Sequence, residues 1–304
     1  MLSIDMTRYV ELHRTAGFKF RTQHQMLTNF VAFADKFGDE FVRVDRVLDW
    51  ASRAPSPAQR CNRVREVRRF ALAMRAEDGR YEVPAADAMG RAFHRRRIVH
   101  IYTADEISRL VRAATQLRPA GSVRPWMYAT LFGLLAATGL RISEALALQL
   151  KDVTADGLVI RETKFKKSRL VPLHETTQQA LAAYIAVRTK AAALDGSLFV
   201  SVVGKTPAHS TVTAVFLQLA RSIGLRGDPG EKGPRIHDFR HSFAVRSLEQ
   251  CPHDANAVAR HLVALSTYLG HVHPTCTYWY LQATPLLMEQ IADISEALLQ
   301  GGAQ

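Results

Sequence analysis

Three cysteines in 304 residues, Cys61, Cys251 and Cys276, are too few, too widely spaced and odd in number for a disulfide framework or a cysteine-based zinc site. They fit a reducing compartment. No apolar run reaches the roughly 20 residues of a membrane-spanning helix, and no lipidation signal is evident. The first ten residues carry charges without an apolar centre, which excludes a secretory signal. Acid is also scarce, with 28 Asp and Glu against 40 Lys and Arg and a formal net charge of +12. Internal repeats and low-complexity tracts are missing as well. What remains is a soluble cytoplasmic protein with a polyanion as partner and no membrane role.

The chain is long enough for two domains, and at 47% hydrophobic residues it can bury a substantial core. Apolar residues at three- and four-residue spacing predict helices over residues 6–16, 23–37 and 44–53, with Leu27, Phe30, Val31 and Ala34 as one stripe. Ala54-Pro55-Ser56-Pro57 breaks the pattern, and Ser56 before Pro57 caps a helix over 58–74. That helix carries Arg60, Arg63, Arg65, Arg68 and Arg69 against a lone Glu66. Solvated faces normally mix signs, so these arginines are candidates for contact with a DNA backbone. Residues 1–80 thus form a helical DNA-binding domain. Residues 81–100 read as a basic linker bearing Arg95, Arg96 and Arg97, either lying along phosphates or simply a surface tether.

Residues 101–304 form the second domain, making the fold class mainly α with a small antiparallel β-hairpin. Thr103 and Glu106 form a capping box. A nearly all-apolar helix over 126–138 stops at Gly139 and is the buried centre, followed by a helix over 141–150. Strands at Leu158-Val159-Ile160 and Leu170-Val171-Pro172-Leu173 flank the turn Lys164-Phe165-Lys166-Lys167-Ser168. Helices are expected at 176–193, 210–223, 237–248 and 255–269, with two more near the end.

Chemistry concentrates near the C-terminus. His237, Arg240, His241, His271 and Tyr280 follow one another, with Arg141 and Lys164 upstream. Attack of an oxygen nucleophile on a phosphodiester builds charge on the non-bridging oxygens and needs a proton for the departing oxygen. Guanidinium forks suit the first task. Arg141 projects from a tight turn, and Arg240 shares a helical face with His237. A lysine at a hairpin tip can protonate a leaving group. Each has a plainer reading: Arg141 pairs with Glu144, Lys164 is one of three turn lysines, and His237 caps its own helix. His241 either backs the site or is a packed or capping histidine.

The segment Ala137-Thr138-Gly139-Leu140-Arg141-Ile142-Ser143-Glu144, the strand Arg169-Leu170-Val171-Pro172-Leu173, His237-Asp238-Phe239-Arg240-His241 and Leu269-Gly270-His271 with Tyr280 resemble the tyrosine recombinase, or phage integrase, family. The resemblance spans about residues 101–283, while the N-terminal helices match the family's core-binding domain only in size, helicity and charge. It implies that Arg141 and Arg240 clamp a scissile phosphate. Lys164 is then the general acid, His237 and His271 assist proton movement, and Tyr280 attacks to form a 3′-phosphotyrosyl link. Neither metal, ATP nor any other cofactor is implied.

Some features depart from the family. Phe165 stands where a small residue is usual, leaving Lys166 and Lys167 as substitutes for the acid, besides their candidacy for DNA contact. The longer stretch over 246–268 and the Tyr-Trp-Tyr cluster look like recombinases of mobile elements, a link to transposition. Tyr278 is the rival nucleophile. The stripe Leu287, Ile291, Ile294 and Leu298 packs on its own domain or, as the family implies, docks on a neighbour in a homo- or hetero-tetramer on duplex DNA. Rival functions are a type IB topoisomerase, a DNA-binding protein with an inactive site, and a metal-dependent nuclease using His237, His241, His271 and His273, for which no acidic cluster completes the site.

Overall fold

The structure, a computed structural model, describes residues 1–90, 99–161, 168–190, 196–250 and 255–270. The chain divides into two compact units, Met1–Arg97 and Ile98–Gln304.

The first unit contains α1 (Leu2–Thr15), α2 (Arg21–Ala34), α3 (Val44–Ser52) and α4 (Pro57–Arg75), with a 3₁₀ turn at Asp35–Phe37 extending α2. Ser56 caps α4 as its sequence demands, its hydroxyl accepting from the Gln59 amide at 3.3 Å with Pro57 in the first turn. The stripe of α2 (Leu27, Phe30, Val31, Ala34) is buried together with Val64, Val67, Phe70 and Met74 of α4. Burying a side chain of this size contributes about 1.5–3 kcal/mol, so these rows hold the helices together.

The segment after α4 differs from the linker expected over 81–100. Tyr81 is buried in the first unit's core, and its hydroxyl donates to Asp5 at 2.5 Å. The Glu82 carboxylate accepts from the Val44 amide at 2.7 Å. Residues 81–90 are therefore built into the helical unit rather than spanning a gap, because an aromatic ring followed by a carboxylate finds partners on α1 and α3. Arg95, Arg96 and Arg97 lie outside the described residues.

The second unit carries α5 (Ala104–Thr115), α6 (Val123–Thr138), α7 (Ile142–Ala147), a three-stranded antiparallel sheet, then α8 (Glu175–Lys190), α9 (His209–Ser222), α10 (Asp238–Glu249) and α11 (Ala255–Leu269). The Thr103–Glu106 capping box starts α5 as expected. α6 buries a broad face that includes Leu131, Phe132, Leu134 and Leu135, and so serves as the central helix, while Trp126 on its other side stays exposed. Phe132, Phe216 and Phe239 cluster at centroid distances of 5.9–6.4 Å beside it, fixing α9 and α10 on α6.

The sheet runs β1 (Val153–Thr154), β2 (Gly157–Ile160), β3 (Arg169–Val171), one strand more than the hairpin read from sequence. Its register sets Leu158 opposite Val171 and Ile160 opposite Arg169. Arg169 is thereby the first residue of β3, paired with Ile160. The helix expected over 141–150 shrinks to α7. Leu148 turns extended, and its carbonyl accepts from the Leu198 amide at 2.8 Å, a long-range pairing that ends the helix. Among the described residues, no helix is long and apolar enough to cross a membrane.

Candidate active site

α6 ends at Gly139, whose φ of +61° reverses the chain, and a Cβ there would stand 2.7 Å from the Phe243 ring. Glycine at this point lets the turn lie against α10 and delivers Arg141 to the start of α7. Arg141 bonds Glu144 twice, through its backbone amide at 3.1 Å and its guanidinium at 2.7 Å. The plainer expectation for Arg141 is thus met, yet the pair is not isolated. Arg169 of β3 donates to the same carboxylate at 2.8 and 3.3 Å. Burial works to raise the Glu144 carboxyl, but the Arg169 hydrogen bond and charge, followed by Arg141, outweigh it and hold it below the ordinary carboxylate value.

Arg240 lies within α10 and is only 2% exposed. Its two terminal nitrogens donate to the Gly139 carbonyl at 2.9 Å and the Leu269 carbonyl at 2.7 Å. Arg169 Nε donates to the Tyr268 carbonyl at 2.7 Å, and Arg141 reaches the Gly270 carbonyl at 3.4 Å. Three guanidinium groups therefore meet three consecutive carbonyls at the end of α11. The last carbonyls of a helix lack intrahelical partners and carry the negative end of its dipole, so cations are favoured there. Gly270 closes the helix at φ +67°, and a Cβ on it would lie 2.9 Å from the Arg169 guanidinium.

His237 occupies the N-cap of α10, but its side chain makes no capping bond, contrary to the plainer reading of that residue. Its ring stands edge-on to His241 at 4.8 Å between centroids. Burial, then the charges of Arg240 and Arg235, depress the His237 pKa, and Arg141 adds to the effect. The influence of both Arg141 and Arg240 on this ring places it in their shared field. Burial, followed by His237, pushes His241 down to about 4. Both imidazoles are neutral near pH 7, able to donate or accept a proton.

The structure brings Arg141, His237 and Arg240 together, joined by Arg169, Glu144 and His241. Such a cationic cluster around a single carboxylate suits an oxyanion. Lys164, Lys166, Lys167, His271, His273, Tyr278 and Tyr280 lie outside the described residues. Among the described residues, no group of three or more His, Cys, Asp or Glu could hold a metal ion. Arg169 is the site residue that sequence reasoning missed. Its only signal was its place at the head of the strand Leu170-Val171-Pro172-Leu173.

The arginines of α4 do not gather on one face. Arg60 donates to the Ala54 carbonyl at 3.0 Å. Arg63 donates to the Trp50 carbonyl at 2.7 Å and stacks 4.6 Å from the Trp50 ring centroid. Arg68 bonds the Pro84 carbonyl on another side. Arg65 and Arg69 flank Glu66, their side chains 56% and 59% exposed. A groove of about 540 Å³ in the first unit is lined by Arg21, Gln25, Asn29, Gln59, Asn62 and Arg63. Its carboxamides were not visible as a group in sequence because they come from two helices.

Comparison with known proteins follows the same pattern. The profile of the phage integrase family matches residues 101–286. The integrase/recombinase-named protein y4rB of Sinorhizobium fredii is 39% identical over 293 residues, covering 93% of each chain. Tyrosine recombinase XerC of a Methylobacterium species is 36% identical over 167 residues, 53% of this chain and 48% of the relative. Among solved structures, a lambda integrase (75–356) dimer bound to a COC′ core site matches with a TM-score of 0.65 and 18% identity, covering 93% and 96% of the two chains. XerH bound to a palindromic difH substrate after cleavage gives a TM-score of 0.65 and 19% identity, covering 90% and 79%.

Proposed function

The chain belongs to the phage integrase family, and on that footing we propose that it is a site-specific DNA recombinase that cleaves and rejoins duplex DNA. The carrying observation is the convergence of Arg141 and Arg240, from α7 and α10, on the turn at Leu269–Gly270. His271 is the next residue in sequence.

In this reading Arg141 and Arg240 clamp the scissile phosphate, the accessible Arg141 through its fork and the buried Arg240 through its charge and the Leu269 carbonyl it holds beside the site. The Tyr280 phenol attacks phosphorus. A Tyr–O–P bond forms as the P–O5′ bond breaks, the phenolic proton passes to a neighbouring base, and Lys164 supplies a proton to the departing 5′-oxygen. A phenol with pKa about 10 is a weak nucleophile until cations crowd it, which is what the cluster provides. The neutral His237 ring bonds the phosphate and relays protons, as does His271. Phosphodiester energy is kept in the 3′-phosphotyrosyl link, and the reaction uses neither metal nor ATP. Rejoining reverses the step with a 5′-hydroxyl from a second duplex.

Duplex DNA is the partner, met in the cytoplasm. The exposed Arg65 and Arg69 and the carboxamide-lined groove support a DNA-facing role for the first unit. Amide side chains can pair with adenine edges, and arginines with phosphates. A tetramer on DNA is held by the stripe Leu287, Ile291, Ile294 and Leu298 docking on a neighbour. The second unit offers an apolar groove of about 440 Å³ lined by Val111, Pro125, Trp126, Ala129, Leu134 and Leu181 to receive it. Removal of residues 285–304 then abolishes cooperative assembly.

The deciding experiment incubates the protein with two duplexes carrying its cognate site, in EDTA. Joined strands between the duplexes are expected. Relaxation of supercoils without exchange supports a topoisomerase instead, and binding without cleavage supports an inactive DNA-binding protein.

A further inference from the structure

We infer that Arg169 is a positioning residue for strand cleavage, acting through Glu144 to set the Arg141 guanidinium that the recombinase reading places on the phosphate. The inference rests on that reading and goes beyond it, because Arg169 itself touches no reacting atom.

All three of its guanidinium nitrogens are committed inside the protein, Nη1 and Nη2 to Glu144 and Nε to the Tyr268 carbonyl. Its side chain is 12% exposed and that of Glu144 8%, whereas Arg141 keeps 33%. The arrangement is therefore graded from a buried anchor to an accessible cation. Glu144 divides its oxygens, one accepting from Arg141 at 2.7 Å and the other from Arg169 at 2.8 Å. A buried carboxylate left with one cation would draw that cation into a closed pair. Sharing it with Arg169 holds the carboxylate in place from behind and leaves the Arg141 fork pre-oriented for an external anion.

Arg169 also links three elements, β3, α7 and α11. It opens β3, paired opposite Ile160 of β2. Through Tyr268 it fixes the end of α11, where Arg141 and Arg240 bond the next two carbonyls. The space it occupies is enforced, since a Cβ at Gly270 would press on its guanidinium at 2.9 Å. Only a planar fork spans two carboxylate oxygens and a carbonyl together. A lysine ammonium carries the same charge but cannot.

The test measures covalent adduct formation on a nicked cognate duplex by wild type, Arg169→Lys and Glu144→Gln, with Arg141→Ala as reference. Each is run on the natural scissile phosphate and on a methylphosphonate, which removes the charge the clamp neutralises. Arg169→Lys should slow cleavage of the phosphate by about 10- to 100-fold, the scale of a misplaced catalytic group, with duplex affinity unchanged. On the methylphosphonate the deficit should shrink, as it should for Arg141→Ala, and Glu144→Gln should show the same signature. In an Arg141→Ala background, Arg169→Lys should add almost nothing.

Wild-type cleavage by Arg169→Lys overturns the inference. So does an equal deficit on both substrates that multiplies with Arg141→Ala, since general destabilisation behaves that way. A wild-type protein that forms no adduct with either substrate rejects the recombinase reading and this inference with it.

Discussion

The Arg240 guanidinium donates to the Gly139 carbonyl at 2.9 Å across 101 residues of sequence. The same side chain holds Leu269, so a single buried cation ties the end of α6 to the end of α11. Arg240→Ala should strand both carbonyls, at about 1–3 kcal/mol each. Urea unfolding should show that loss, Arg240→Lys should recover part of it, and neither variant should cleave DNA. Stability equal to wild type in Arg240→Ala would contradict this tie.

Gly139→Ala should destabilise by about 1–3 kcal/mol. The left-handed backbone alone costs about 1–2 kcal/mol for a residue with a Cβ, and the new methyl meets the Phe243 ring at 2.7 Å. Because the same turn carries Arg141, cleavage should fall with stability. Thermal unfolding alongside a cleavage assay checks both.

Acid stability should depend on His241. Its ordinary pKa of 6.5 falls to about 4 in the folded protein. The unfolded chain thus binds a proton between pH 6.5 and 4 that the folded chain refuses. Stability is complete above pH 6.5 and declines as pH drops toward 4. His237 acts in the same direction. His241→Asn should flatten the fall of unfolding free energy across this window, by an amount on the order of 1 kcal/mol after solvent screening. Glu144 contributes separately, losing its share only below its ordinary 4.5. An unchanged slope in His241→Asn would reject the assignment.

The arginines of α4 should separate into two kinds. Arg65→Ala and Arg69→Ala should leave the unfolding free energy within about 0.5 kcal/mol of wild type, as exposed substitutions do. Each should lower DNA affinity and reduce the salt slope by about 0.9. Arg63→Ala should instead destabilise the first unit, since it loses a bond to the Trp50 carbonyl and its ring contact. Fluorescence anisotropy over a salt series, paired with thermal unfolding, distinguishes the two.

Features with local causes were legible in the sequence. The Thr103–Glu106 capping box, the Ser56 cap, the stop at Gly139 and the His237/Arg240 face each depend on residues a few positions apart. What escaped depends on distance along the chain. Arg169 takes its role from Glu144, 25 residues away, and Tyr268, 99 residues away. Tyr81 looks like part of a linker until its partner Asp5, 76 residues earlier, is brought beside it. The early end of α7 comes from pairing of Leu148 with Leu198, which no helical periodicity records.

The central claim is that the arginine cluster serves a phenol attacking phosphorus. Trapping the protein on a nicked cognate duplex in EDTA, digesting the covalent product and sequencing the DNA-bearing peptide tests it directly. The account predicts a 3′-phosphate on Tyr280, absent in Tyr280→Phe while duplex binding persists. Attachment at Tyr278, or strand cleavage that leaves no protein on the DNA, would contradict it.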